Sequence, residues 1–390
     1  MSQRACVLSV LLLLSFSSPA SALEMAPIGS RAQGMGGAFV AVANDATAVY
    51  WNPAGLSAFR GWEVQGLASI HGQDHMDVFN VLDEVEDVLA GRQISDVVGD
   101  PSSIDRLVNL LEQLDKPGKG VDLNAAAGLI IKGGWGGHAF AVSGLPLFQA
   151  GATMSIDTTR VANAAPGVNP DSIANNESSA LLNGLEGRQY IFSYSHALFG
   201  DKLFGGVNLK LIDGVTYHFN LAVLQPDIDI SWDNLRRSRK RSQEFSIDAG
   251  LMAVPFDWLR LGVVGRDLTG PSFTSSRGED IELEPQFRAG IALLPLPTLT
   301  LAVDVDLSEN DSFTRGYRER NIAVGLEKTF LGELLSLRLG GYKNVAEDDS
   351  NYVATAGLGL QVFFLGLDVG GGYDFQAQEV LGSASLSARF

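Results

Sequence analysis

The 390-residue chain has a single cysteine, Cys6, and five histidines. Because Cys6 lies so close to the start, the rest of the chain has no thiol for a disulfide, a cysteine metal site or a thiol nucleophile. Long apolar runs are also missing. The run Val7 to Leu14 is well short of the roughly 20 residues that a transmembrane helix requires, and no longer one follows it. Positive charge is scarce, with 28 Lys and Arg against 45 Asp and Glu and a net charge of −17. A surface this acidic argues against general nucleic-acid binding. Catalytic patterns are missing as well: no Ser/His/Asp order or paired carboxylates rise above what chance gives a chain this long, so neither an enzyme nor a cofactor is expected. His71 and His75 with Asp74 are read as surface residues rather than metal ligands, and His138, His196 and His218 are scattered.

Residues 1–22 combine Arg4, the short apolar run and Ala20-Ser21-Ala22, the pattern of a secretory signal removed at maturity. A retained anchor helix is the alternative. The composition is 46% hydrophobic with 44 glycines, which suits a barrel wall that offers alternate side chains to lipid and needs glycine where strands curve. From residue 61 onward a period of two dominates. Segments near 63–72, 121–132, 136–147, 187–198, 203–217, 243–254, 257–268, 283–294, 298–307, 318–329, 333–343, 351–363, 364–374 and 381–390 make fourteen predicted strands. The last ends in the aromatic Phe390, read as a membrane-insertion signal addressed to the barrel-assembly machinery.

Tight turns such as 133–137 and 199–202 alternate with long connections at about 73–120, 148–186, 218–242, 269–282 and 308–317. With the N-terminus on the periplasmic side, every short turn falls there and every long loop falls outside, as in outer-membrane barrels. A soluble β-sandwich predicts no such bias. Within strands, Leu299, Leu301, Val303, Val305 and Leu307 share one face and Asp304 and Asp306 the other. Charges avoid the lipid face, so Asp248, Asp304, Asp306 and Glu327 are expected to meet Lys210, Arg260, Arg288 and Arg338 across the lumen. In the first long loop, apolar residues at helical spacing over 76–89 and again after Asp100-Pro101 predict an extracellular helical hairpin packed on itself.

Between the signal and the first strand lies a stretch containing Gly34-Met35-Gly36-Gly37-Ala38, Asn44-Asp45-Ala46-Thr47-Ala48 and Asn52-Pro53-Ala54. It resembles the N-terminal segment of the FadL-type outer-membrane barrels, including relatives annotated in conjugal transfer and the PorV-like proteins. In that family the segment forms a hatch inside a fourteen-stranded barrel. The resemblance therefore implies an all-β, transmembrane antiparallel β-barrel over residues 58–390, a hatch over 23–57 and a helical insertion at about 73–120. It assigns Asn52, Pro53 and Ala54 to the hatch. The residues give the segment reasons of their own: Gly34, Gly36 and Gly37 permit close approach to the wall, Asp45 can cap a short helix, and Asn52 before Pro53 starts a turn.

The expected role is passive passage of hydrophobic small molecules, fatty-acid-like or aromatic, across the bacterial outer membrane. The alternative is a non-conducting barrel serving a secretion or conjugal-transfer apparatus. Arg236, Arg237, Arg239, Lys240 and Arg241 form the only basic cluster, in an outside loop, where arginine forks suit lipopolysaccharide phosphates; a solvated loop tip is the competing reading.

Overall fold

The computed structural model describes residues 22–23, 25, 27–75, 77–89, 100–157, 177–222, 238–278, 280–347, 350, 352–375 and 379–390. Apart from Ala22, the predicted signal lies outside them. Fourteen strands form one closed antiparallel barrel in sequence order. They are β1 (Gly61–His75), β2 (Gly120–Trp135), β3 (His138–Ser155), β4 (Ser179–Leu198), β5 (Leu203–Ala222), β6 (Arg239–Phe256) and β7 (Leu259–Arg266), then β8 (Gln286–Leu296), β9 (Leu299–Asp306), β10 (Asn321–Phe330), β11 (Leu335–Asn344), β12 (Tyr352–Val362), β13 (Leu365–Tyr373) and β14 (Val380–Arg389).

Alternation places polar and small residues inward. On β4, Gln189, Ser193 and Ser195 are buried while Tyr190, Phe192 and Tyr194 face out. Outward rows this apolar are tolerable only against lipid, and closure removes the unpaired backbone that a sheet edge would expose. The ring closes where β14 pairs with β1, from Val380 opposite Gly72 to Arg389 opposite Glu63. Phe390 clamps the seam, since its N–H donates to the Trp62 carbonyl (2.8 Å) and its carbonyl accepts from the Trp62 N–H (3.0 Å).

Tight turns lie at one end, with Gly136 and Gly137 both at positive φ (60° and 83°) in the two-residue turn between β2 and β3. At the other end, β1 to β6 run 15 to 20 residues, beyond the roughly 9–11 that cross a bilayer. In the first long connection α3 (Val78–Leu89) and α4 (Pro101–Leu114) pack against each other through Val81, Val88, Leu107, Leu110 and Leu111. Asp74 accepts from the Val78 N–H (2.7 Å) and Asp100 from the Ser102 N–H (3.2 Å), which satisfies the first turn of each helix. No helix among the described residues is long and apolar enough to cross a membrane.

The connection 307–320 leaves β9 and crosses the mouth to β2, seven strands away around the ring. There Asp122 accepts from Ser312, from Thr314 Oγ1 (2.9 Å) and from His75 Nε2 (2.9 Å). These contacts make the connection a strap over the bore.

Candidate functional site

Residues 27–58 lie inside the ring as α1 (Ser30–Gly34), α2 (Ala48–Trp51) and a 3-10 turn (Pro53–Ala58). They rest on glycines of the wall, one per strand: Gly206 on β5, Gly250 on β6, Gly262 on β7, Gly290 on β8, Gly325 on β10, Gly340 on β11, Gly357 on β12 and Gly370 on β13. A Cβ at Gly262 would meet the Val40 carbonyl oxygen at 2.7 Å, and one at Gly370 the Ser30 carbonyl oxygen at 2.5 Å. The segment supplies small residues in return: Gly34 sits on Gly357, and Gly36 (φ 66°) on the backbone of Gly341.

Polar pegs fix the seat. Asn52, extended as a residue before proline should be (φ −164°), accepts from the Ala54 N–H (3.2 Å) and donates to the carbonyls of Val40 (3.0 Å) and Leu251 (3.2 Å). The Ala54 carbonyl accepts from Ser195 Oγ (2.9 Å). Asp45 accepts from the Thr47 N–H (2.9 Å), so it caps the turn leading into α2. Arg31 joins Asp45 (3.1 Å) to Glu327 (2.7 Å). Burial alone would lower the Arg31 pKa, but Glu327 and Asp45 hold it above its ordinary value. Burial would likewise raise Asp45, yet the Arg31 charge keeps it below the usual carboxylate range.

Lumenal charges pair across strands: Lys210 with Asp248 (2.7 Å), Arg288 with Asp306 (Nη2 to Oδ2, 2.9 Å), and Arg338 with Glu327 (2.7 Å) and Asp368 (2.6 Å). Two expected members differ. Arg260, beside the turn at 257–258, has no carboxylate within ion-pair distance among the described residues. Asp304 instead accepts the backbone N–H groups of Phe39 (2.7 Å) and Val40 (2.8 Å). Face assignment gives the side of the wall but not the height along it. His71 and His75 are also not surface residues: both are buried, His71 against Glu379 (2.6 Å) and His75 against Asp122.

The glycine seats lie on β5 to β8 and β10 to β13. Beside the segment is a cavity open to solvent, with about 550 Å³ of empty space counted out into its mouth, bounded by β1 to β4 and by residues at the ends of β7 and β8. Ile28, Tyr50, Ala126, Leu147 and Leu283 give it an apolar lining, and Gln149, Gln189, Gln286 and Arg266 a polar one. The Arg266 guanidinium stacks 4.0 Å from the Tyr50 ring centre. Outward-facing Ile70, Ala125 and Phe148 also reach the cavity, so here it touches both faces of the wall. Just below, the ladder between β2 and β3 skips two pairs: it runs to Ala126–Leu147 and resumes at Leu129–Gly144. Pro146, which has no N–H to donate, lies in the gap. The sequence signal for this seam was a proline inside an otherwise regular strand pattern.

Of the basic cluster, Arg236 and Arg237 lie outside the described residues. Arg239, Lys240 and Arg241 open β6 rather than sit in a loop, because Arg239 is already in register with Tyr217.

A family model described as "F plasmid transfer operon, TraF, protein" matches residues 49–306, more than half of the chain. No curated protein matches. Among solved structures, the toluene transporter TbuX of Ralstonia pickettii superposes with a TM-score of 0.57 at 12% identity, covering 93% of this chain and 98% of that one. A FadL homologue of Pseudomonas aeruginosa gives 0.54 at 12% identity with 96% and 99% covered, and the toluene transporter TodX of P. putida 0.54 at 12% identity with 94% and 99%. The chain has the fold of FadL-type barrels.

Proposed function

From the premise that the chain belongs to the F plasmid transfer operon TraF family, and that its fold is shared with toluene transporters, we propose that it is an outer-membrane barrel passing hydrophobic small molecules passively. The observation that carries this reading is the cavity beside the irregular seam of β2 and β3. An apolar ligand body would rest on Ile28, Tyr50, Ala126 and Leu147 while a polar end meets the glutamines. It would then leave sideways at Pro146, and residues 27–58 would act as the hatch that denies water a straight path. Because the cavity already reaches the outer face of the wall at Ile70, Ala125 and Phe148, the lateral route asks for little displacement of the segment. No covalent chemistry is involved.

The test compares uptake of radiolabelled toluene and of a fatty acid by cells with and without the chain, and with Ala126→Trp, which fills the cavity. Uptake that depends on the chain and drops about fivefold or more in the variant, roughly 1 kcal/mol of lost passage, is the expected result. Identical uptake in all three strains would overturn it.

A second reading has its own observation. The bore is crossed by paired charges and a strap, which suits a non-conducting barrel that serves a conjugal-transfer apparatus. A deletion strain with normal uptake but defective conjugation would favour it.

A further inference from the structure

On the outer wall of β4, β5 and β6, charged residues replace apolar ones along a single line. In register, Tyr190, Leu211 and Phe245 form an outward row, each 44% exposed or more. One step further from the tight turns come Arg188, Asp213 and Gln243, and then Glu186, Val215 and Arg241, followed by Gly184, Tyr217 and Arg239. Arg188 pairs with Glu186 (2.7 Å) and Arg241 with Asp213, and Tyr217 donates to Glu186 (2.9 Å). The arginine side chains stay half or more exposed, 50% for Arg188 and 63% for Arg241. Lys240, in register with the buried Thr216, turns to the other face.

The height of this line is decisive. Leu198, Leu203 and Ala253 mark the last row before the turns. Ten residues of strand, rising roughly 3.3 Å each and tilted about 40°, lift the Arg188 row roughly 25 Å above that, the height of the apolar band of an outer-membrane barrel. The arginines therefore stand where hydrocarbon gives way to headgroups in the outer leaflet, above an aromatic and aliphatic wall that acyl chains can cover. Each guanidinium has five N–H donors in a planar fork, and the carboxylates beside Arg188 and Arg241 use only part of that set. Glu186 and Asp213 hold the forks in place, leaving the remaining donors for a phosphate.

We propose that Arg188, Arg239 and Arg241 form a binding surface for the phosphorylated sugar headgroup of lipopolysaccharide on the outer wall of β4 to β6. It rests on the outer-membrane placement of the barrel and not on transport.

Native mass spectrometry of the full chain in detergent tests it, with bis-phosphorylated lipid A and its enzymatically dephosphorylated form as probes. The native protein is expected to retain the phosphorylated lipid at least about tenfold better than the dephosphorylated one, and Arg188→Gln/Arg239→Gln/Arg241→Gln to lose that preference. Heat-modifiable migration in electrophoresis reports whether the triple variant folds. If it does not, Arg239→Gln alone takes its place, and the comparison of the two lipids on the native chain decides. Equal retention of both lipids by the native chain, or an undiminished preference in the folded variant, would overturn the proposal. Unchanged ligand uptake in the variant leaves the transport reading standing whichever way the lipid result falls.

Discussion

The tightest constraints act on single atoms where the inner segment meets the wall. At Gly206 a Cβ would collide with the backbone of Pro53 and Ala54, whereas at Gly144 it would meet nothing within 4 Å. Gly206→Ala is therefore expected to cost about 1–3 kcal/mol through forced backbone shifts, read as faster proteolysis within residues 30–58, while Gly144→Ala leaves proteolysis unchanged. Asp45 adds a pH signature. Its carboxyl is held below its ordinary value in the folded state, so its contribution is complete above about pH 4, the unfolded value, and is lost as pH falls through the lower folded value. Hydrogen exchange across residues 30–52 should stay slow down to about pH 4 and quicken below it. In Asp45→Asn the same protons should exchange faster at neutral pH with a weaker acid dependence.

Among the elements, all fourteen strands could be read from alternation, and both helices of the insertion from apolar spacing, because each presents one face to lipid or to a partner helix. What could not be read lies where that contrast fades. β4 begins at Ser179, not near 187, and β6 at Arg239, not near 243, since Ala180, Leu181, Leu182 and Leu185 put apolar residues on both faces of β4 and Arg239 to Ser242 put polar ones on both faces of β6. Long-range latches leave no local mark either: nothing near Asp122 announces that Thr314 will reach it from across the mouth. Asn52-Pro53-Ala54 was legible as a turn that belongs inside, but the glycines that receive it are spread over eight strands and align only once register is known. The strap invites a direct test. Asp122→Ala removes the acceptor shared by His75, Ser312 and Thr314, leaving buried donors unpaired at about 1–3 kcal/mol. Exchange over residues 310–320 is expected to accelerate while the barrel ladders stay protected. Unchanged exchange there would mean that other contacts hold the strap.

For the molecule as a whole, the ring and its contents divide the labour. A cylinder of this strand number has room for more than side chains, and here the room is taken by residues 27–58, the paired charges and the strap. Deletion of residues 27–58 is expected to leave a heat-modifiable barrel whose conductance in planar bilayers is clearly larger than that of the full chain. Equal conductance would show that the strap and lumenal charges seal the bore unaided.

The uneven spread of glycine contacts also sets where heritable change is tolerated. Eight strands bear a glycine that a single methyl group would spoil, whereas β1 to β4 meet the segment through ordinary side chains such as Ser69 and Ser195 and also line much of the cavity. Substitutions at cavity positions such as Ala126, Leu147 or Gln189 can therefore reshape the cavity and leave the glycine anchorage intact. Variation among related chains should concentrate at these cavity positions and spare the eight glycines.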